Sequence, residues 1–553
     1  MVASKILMRE KYGWKKIHSN GVIIWFKGYI LSDNLDKIKE KILDYAVSEV
    51  QHSEMSLWVK TIRGHFALVI ESENWVFAAV DRVGSIPIFY TENNSQNIVG
   101  NYAQQLKEYS LSICAEINKS ATLEIAMSGY TIGRKTIYKE LYQLTAGECL
   151  FLQGDKIERS FYYTYSPWNV RERSEESLCK EFSEVTLDTL KQMVESVDGE
   201  QIVIPLSAGN DSRLIASGLR HLGVKNVICF SYGKAGNYEE ETSKQVAKKL
   251  NYPWFSVPVT IKSQRDFFTS EHYNDYVAQF DTLSSVPAVQ DIAEVIQLRN
   301  ISSISKYAVI VNGNSGDFIT GGHIPSLART PSEDNTKSEK DILINTHIDK
   351  HYSLWGCLKS DEATRKIKSE IDILIANREI PDSFSFDGIH GLIEVAEYLG
   401  RQSKYVVNQQ NSYDYAGFEW RLPLWDGMFM DFWESVPVQY KINQNLYKKS
   451  LKANDWGGVW TNLPVNHNKI SPLYLKLLRN LTKVFFIPLG KGHWHRVEKN
   501  LFNYWLDVSC NSAIVPYSDV LLDLRGQRNY VSWLADKYLI SHKQEKIKKG
   551  YPG

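Results

Sequence analysis

Residues 206 to 213 read Leu-Ser-Ala-Gly-Asn-Asp-Ser-Arg, directly after the apolar run from Gln201 to Leu206. A strand that ends in Ser-x-Gly-x-Asp-Ser and turns into a helix can cradle a pyrophosphate. Backbone N–H groups at the helix start point at the anion, small residues let phosphates approach, and an aspartate can hold magnesium. In this reading Ser207, Ala208, Gly209, Asn210, Asp211 and Ser212 bind the phosphates of ATP, and Asp211 is a metal ligand. Such a cradle goes with cleavage between the α and β phosphates, which is adenylation and not kinase chemistry. The competing loop, G-x-x-x-x-G-K-[ST], needs a lysine that is absent here. The plainer alternative is a strand-to-helix turn in which Ser207 or Asp211 caps the helix.

A second segment, Asn312 to His323, follows the apolar residues Ala308 to Val311. Gly313, Gly316, Gly321 and Gly322 would let backbone lie close to a phosphate, and Asp317 offers a second metal oxygen. Asp211 and Asp317 would then share one Mg2+ ion, neutralising charge on the departing pyrophosphate. Gly313, Gly316 and Ser231 join the nucleotide-binding set. The alternative is a loop that simply needs positive φ angles. Ser315 is no nucleophile elbow, because Gly316 follows it at once.

The elements around these loops alternate. A strand over 201–206 leads to a helix carrying Leu214, Ile215, Leu219 and Leu222. A strand from Asn226 to Ser231 leads to a helix from Tyr238 to Leu250, and Trp254 to Val259 forms a third strand. This βαβαβ succession implies a parallel sheet with ligands at the carboxyl ends of its strands. Before it, short β-rich runs at 21–30, 66–70, 75–80 and 86–90 imply a sheet-rich first domain. Residues 165 to 177 read as a linker, with a helix starting near Ser174. The expected domains are therefore 1–165 and 174–553. The fold class expected is α/β, with a β-rich domain followed by a parallel-sheet domain whose C-terminal part is mainly helical.

At 553 residues the chain exceeds a single core. Lys plus Arg and Asp plus Glu number 64 each, so no net charge attracts nucleic acid. No apolar run approaches a membrane span, and no secretory leader pattern is present. The six cysteines, at 114, 149, 179, 229, 357 and 510, show no metal spacing. A cytoplasmic protein with reduced thiols is expected. The 15 Trp, 31 Tyr and 21 Phe belong to the core or, in the C-terminal third, could stack on sugars.

Together these motifs resemble the asparagine synthetase family, which includes β-lactam and carbapenam synthetases. Its S-G-G-x-D-S loop is similar to Ser207–Ser212, and its S-G-x-G-x-D-E-x-F-G-G-Y segment to Asn312–His323. Its acidic segment matches Asn237-Tyr-Glu239-Glu240, and its E-x-R-x-P-F-L-D stretch is similar to Glu419–Asp426. Gly64–Ile70, Asp81–Tyr90, Thr136–Lys139 and Gly147 look like its glutaminase half. The resemblance implies an N-terminal-nucleophile (Ntn) glutaminase-type domain and a pyrophosphate-loop ATP pyrophosphatase domain. It also implies a late catalytic lysine, for which Lys469 and then Lys491 are the candidates.

The departures carry as much information. The family's glutaminase uses an N-terminal cysteine, whereas here the first cysteine is Cys114. Glutamine hydrolysis is therefore not expected, and the amine would come from ammonia, a separate glutaminase or an organic amine. Phe318 stands where the family has glutamate, and Asn314, which cannot act as a base, occupies an acceptor-site position. The expected activity is an ATP-dependent, AMP-forming amide synthetase acting on a small-molecule or saccharide carboxylate. A uronic acid of a surface polysaccharide is the first choice. Asparagine synthesis from free ammonia, β-lactam-type ring closure and a non-catalytic nucleotide-binding subunit remain alternatives. The oligomeric state is left open.

Overall fold

The computed structural model describes residues 5–19, 21–31, 38, 40–42, 52–92, 97–110, 116–325, 336–378, 380–381, 388–465 and 473–548. In its first part, strands β1 (Lys5–Leu7), β2 (Lys15–Ser19), β3 (Val22–Ile30), β4 (Gly64–Glu71) and β5 (Val76–Val80) precede β6 (Phe89–Thr91) and β7 (Ile98–Gly100). Then come β8 (Leu141–Gln143), β9 (Glu148–Gln153) and β10 (Lys156–Phe161). They form a four-stranded sheet in the order β1-β7-β6-β8 and a six-stranded sheet in the order β10-β9-β5-β4-β3-β2.

Strand alternation explains the layering. On β4, Phe66, Leu68 and Ile70 enter a small core with Met55 and Val59 of the helix His52–Val59. Ala67 and Val69 point the other way, into the large core shared with Phe89, Tyr90 and Val99 of the smaller sheet. A period of two thus gives one sheet two buried faces. The expected strand at 86–90 is displaced to Phe89–Thr91, because Ile86 and Pro87 belong to the turn that follows Asp81.

The helix Glu175–Val197 starts where the sequence indicates, with the Ser174 hydroxyl accepting from the Ser177 amide. Leu178, Phe182, Met193 and Val197 form its buried stripe. Beyond it lies a five-stranded sheet of β11 (Ile202–Pro205), β12 (Val227–Gly233), β13 (Trp254–Pro258), β14 (Val309–Val311) and β15 (Glu419–Arg421). Its order is β13-β12-β11-β14-β15, and every pair is parallel. Buried on both faces, β11, β12 and β14 are runs of Val and Ile with Cys229 and Phe230, as a covered parallel sheet requires.

The chain leaves β11 toward β12 and β13, then returns to place β14 on the opposite side of β11. The gap between the loops after β11 and β14 is therefore a topological switch point, where open parallel sheets bind ligands. The remainder is mainly helical. One rod runs from helix His390–Glu397 through a wide, π-type stretch, Tyr398–Val406, to helix Gln410–Ala416. Wide turns of this kind recur at functional sites because they swing side chains off the regular helical stripe. Among the described residues no helix is long and apolar enough to cross a membrane.

Candidate functional site

A cleft of about 510 Å³ opens at the switch point. Ser207, Gly209, Asn210, Asp211 and Ser212 line it from the loop after β11, and Ser231 lines it from β12. Asn312, Gly313, Asn314, Ser315 and Asp317 line it from the loop after β14. The two glycine-containing loops thus meet at one cavity.

The first loop is braced from within. The Ser207 amide donates to Ser212 Oγ at 3.0 Å, and the Gly209 amide donates to Ser207 Oγ at 3.1 Å. The helix Asp211–His221 that follows has no side-chain cap, so the capping alternative for Ser207 or Asp211 does not hold. An uncapped helix start facing a cleft offers its first amides to an anion. Ser231 Oγ is buried and has no hydrogen-bond partner, which adds a donor at the same wall. Ala208 is buried behind the loop, its carbonyl accepting from Arg213 at 3.1 Å.

Arg213 is a residue whose role the sequence did not disclose. Fully buried, its guanidinium also donates to the carbonyls of Val459, Leu463 and Pro464. This ties the segment 459–464 to the underside of the loop after β11. The chain then enters residues 466–472, and Lys469 lies outside the described residues. Lys491 opens the helix Lys491–Glu498. Among the described residues, the cation on the cleft wall is Arg401.

Gly313 and Gly316 owe their presence to loop-on-loop packing. A Cβ on Gly313 would lie 2.8 Å from the Asp211 carbonyl carbon and the Ser212 amide. One on Gly316 would lie 2.4 Å from Asp211 Cγ. The second loop therefore rests directly on Asp211, and the Asp317 amide donates to its carboxylate. Burial, together with the facing Asp317 carboxylate, pushes the Asp211 carboxyl up to about 7, although Tyr447 Oη donates to it at 2.9 Å. The Asp317 side chain is more than half exposed, and the hydrogen bond and charge of His323 hold it below its ordinary value.

His323 is the second residue that sequence reasoning missed. It donates to Asp317 Oδ2 at 3.0 Å and to Glu397 Oε1 at 2.5 Å. Burial opposes its charge, yet the two carboxylates raise it to about 9, so it bridges them as an imidazolium. Phe318, in place of the family's glutamate, points away from the cleft and packs near Trp425 and Tyr165.

The opposite wall comes largely from the wide helical turn, which supplies Arg401, Gln402, Tyr405 and Val406, with Gln409 just beyond it. Asn314 Nδ2 donates to Gln409 Oε1 at 3.0 Å, and Ser315 Oγ donates to Gln402 Oε1 at 2.6 Å. Gln409 in turn donates to the buried Asp291 at 2.8 Å. Side-chain amides here outnumber ionised groups. Of the acidic segment after β12, Glu239 reaches the cleft, whereas Glu240 folds back onto the Gly236 amide. The tryptophans of the C-terminal third do not line the cleft. Trp420, Trp425, Trp433, Trp456 and Trp460 are buried in the core, where their area is worth more than at a solvated wall.

The Glu419–Asp426 stretch lies elsewhere, at the contact with the first part of the chain. Arg63 pairs with Asp426 at 3.1 Å, and the Arg421 guanidinium sits 4.2 Å from the Tyr29 ring. Lys27 with Asp414 and Arg82 with Asp431, both at 2.6 Å, extend the same seam.

Comparison with known proteins agrees with this layout. Residues 47–163 match the glutamine amidotransferase domain, and residues 186–454 match asparagine synthase. An Ntn-type amidotransferase domain followed by an asparagine synthase domain is the arrangement of one class of two-domain synthetases. The chain belongs to the asparagine synthetase family. No sequence among the curated proteins matches it. Among solved structures, one similar chain is the allosteric regulatory enzyme of purine biosynthesis, at 12% identity and a TM-score of 0.16 over 44% of this chain. This chain spans 62% of that one's length. Another is the glutamine phosphoribosylpyrophosphate amidotransferase from B. subtilis complexed with ADP and GMP. Its identity is 10% and its TM-score 0.16, over 67% of this chain and 76% of that one. Neither likeness carries a conclusion about this chain.

Proposed function

We propose that this protein adenylates a substrate carboxylate with ATP and transfers the acyl group to ammonia or an organic amine. The observation that carries the reading is the convergence of both glycine-containing loops, with Asp211 and Asp317, at one switch-point cleft. A carboxylate oxygen attacks the α-phosphorus, the bond to the β-phosphate oxygen breaks, and pyrophosphate leaves. The amine nitrogen then attacks the acyl carbon, loses a proton, and AMP departs with the oxygen. Ser207, Gly209, Ser212 and the uncapped helix start would hold the pyrophosphate, and the cleft walls would shield the adenylate from water.

Two facing carboxylates, one pushed up in its titration by burial and by the other, are hard oxygen donors that suit Mg2+. When bound, the ion would neutralise phosphate charge as pyrophosphate departs. Lys469, with Lys491 second, is assigned to steady the charge of the acyl-transfer step. The division we adopt is an amidotransferase-type domain over 1–165 and a synthetase domain over 174–553.

A uronic acid is the carboxylate best supported. Gln290, Gln402, Gln409, Gln444 and Asn314 around the cleft both donate and accept, as sugar hydroxyls require, and Arg401 offers a carboxylate partner. Among the described residues no tryptophan lines the cleft, so the tryptophans add no stacking face for a sugar there. No glutaminase activity is assigned. Within the described amidotransferase-type part the cysteine is Cys149, buried in β9 with its thiol pushed well up by burial. Cys114 lies outside the described residues.

The test is exchange of labelled pyrophosphate into ATP over a panel of uronic acids and aspartate, followed by product analysis with ammonium, organic amines or glutamine. A uronic acid should support exchange, and ammonium or an amine should give amide. Glutamine should give neither amide nor glutamate. Exchange with no carboxylate in the panel would leave a nucleotide-binding subunit as the better description.

A further inference from the structure

A buried cluster behind Asp317 is not used by this chemistry. His347 and His351 stand four residues apart on the last turns of the helix Thr336–His351, so they share one face. Glu397, at the end of the helix His390–Glu397, faces them. One nitrogen of each imidazole and one oxygen of Glu397 all lie within 4.8 Å of one another. All three residues are buried, with His347 only 4% exposed. His347 Nε2 has no hydrogen-bond partner, and His351 Nε2 lies 3.0 Å from Glu397 Oε2 without forming a well-directed hydrogen bond. An orphaned buried nitrogen is costly unless something unseen satisfies it.

Two imidazoles four residues apart plus one carboxylate from another helix form a His2Glu donor set, which suits zinc, whereas magnesium requires oxygens. A cavity of about 20 Å³ adjoins the three side chains, room for about one water as a fourth ligand. The free oxygen of Glu397 is oriented from outside by Gln402 Nε2 at 2.8 Å and by His323 at 2.5 Å. We propose that His347, His351 and Glu397 bind a zinc ion. The ion fixes Glu397, and Glu397 fixes the His323 ring that touches Asp317, so a structural metal supports the cleft from behind.

The test is metal content of the untagged full-length chain, stripped with chelator and dialysed against zinc. About one zinc per chain is expected, falling at least about tenfold in His347→Ala and His351→Ala, in line with loss of a ligand. Asp211→Asn, which alters the cleft and not this cluster, should keep its zinc. Cobalt in the unaltered chain should give the visible absorption of a nitrogen-ligated site, a readout that needs no variant to fold. Absence of zinc and of the cobalt spectrum, or zinc retained in both histidine variants, overturns the proposal.

On the helix Leu473–Phe486, Tyr474, Leu477, Leu478, Leu481, Val484 and Phe485 are each more than half exposed and follow one face. The other side is docked, with Leu475 buried and Arg479 donating to Glu498 at 2.6 Å. From Trp456 to Val497 the sequence holds Lys469, Lys476, Arg479, Lys483, Lys491 and Arg496 and no Asp or Glu. A 14-residue helix is about 21 Å long, too short to span a bilayer of about 30 Å. An apolar face within a wholly basic segment suits the headgroup region of an anionic membrane. We infer that this helix lies in the surface of a bilayer containing anionic phospholipid.

Flotation of the full chain with phosphatidylglycerol-containing vesicles should recover bound protein, and with pure phosphatidylcholine much less. Leu477→Asp with Leu481→Asp, both at exposed positions, should abolish binding while leaving circular dichroism unchanged. Failure to float with anionic vesicles overturns the inference. So does a dimer that the double variant splits, since the face would then belong to a second copy.

Discussion

Replacing Asp211 by asparagine should reduce pyrophosphate exchange by at least about 10²- to 10³-fold, the several kcal/mol that a bound divalent ion supplies to a phosphate-transfer step. The substitution is nearly isosteric. Asn can still accept from Tyr447 Oη, so the packing of the two loops on one another should survive. What is lost is one of two carboxylates. The fold should not suffer. Burial and Asp317 raise this group to about 7, so above that pH the native state carries a penalty that asparagine removes. Thermal unfolding at pH 8 should therefore be unchanged or slightly higher, while exchange collapses. Exchange close to that of the unaltered chain would remove Asp211 from the metal role.

The second large effect is steric. Gly316→Ala adds one methyl group, and its position would lie 2.4 Å from Asp211 Cγ, 2.6 Å from its Oδ1 and 2.7 Å from a methyl of Leu424. Gly316 does not need a positive φ, so the backbone itself would accept alanine. Only the contact objects. Relief requires the second loop to lift from the first, and a shift of about 1 Å at a reacting centre costs about 10²-fold. Overpacking adds about 1–3 kcal/mol of destabilisation. Gly492→Ala, where no atom lies within 4 Å of the added carbon, is the control and should leave the rate unchanged, with stability unchanged or slightly higher because the position is helical. Measured exchange rates of the two variants side by side check this, and equal rates would contradict the packing described.

How much of this was legible beforehand depends on the range of the interactions involved. The β11 and β14 loops could be read because a local pattern of glycines and one aspartate follows an apolar strand in each case. Their meeting at one cleft follows from topology, since parallel strands deliver their carboxyl ends to one edge. His323, Tyr447 and Arg213 were missed because their partners lie far away in sequence: Glu397, Asp211 and Val459 to Pro464. No periodicity announces a guanidinium that will cap carbonyls some 250 residues on. The cleft wall from Arg401 to Gln409 was hidden for another reason. A helical turn wound wide presents residues that a 3.6-residue period assigns to other faces. The tryptophans misled in the opposite direction, because composition counts aromatic rings without saying which side of a wall they occupy.

The wide turn has a consequence for how such an enzyme changes. In the proposed reaction the nucleotide is held by two loops that brace each other through bare backbone, where an added atom at Gly313 or Gly316 collides. In the proposed reaction the carboxylate partner meets the rod whose amide side chains line the opposite wall. Substitutions at Tyr405 and Val406 on that rod can redraw the shape and polarity offered to a new molecule, whereas Gln402 and Gln409 also hold Ser315 and Asn314 of the second loop. Preference and power are thus written in different segments, and one can drift while the other is kept.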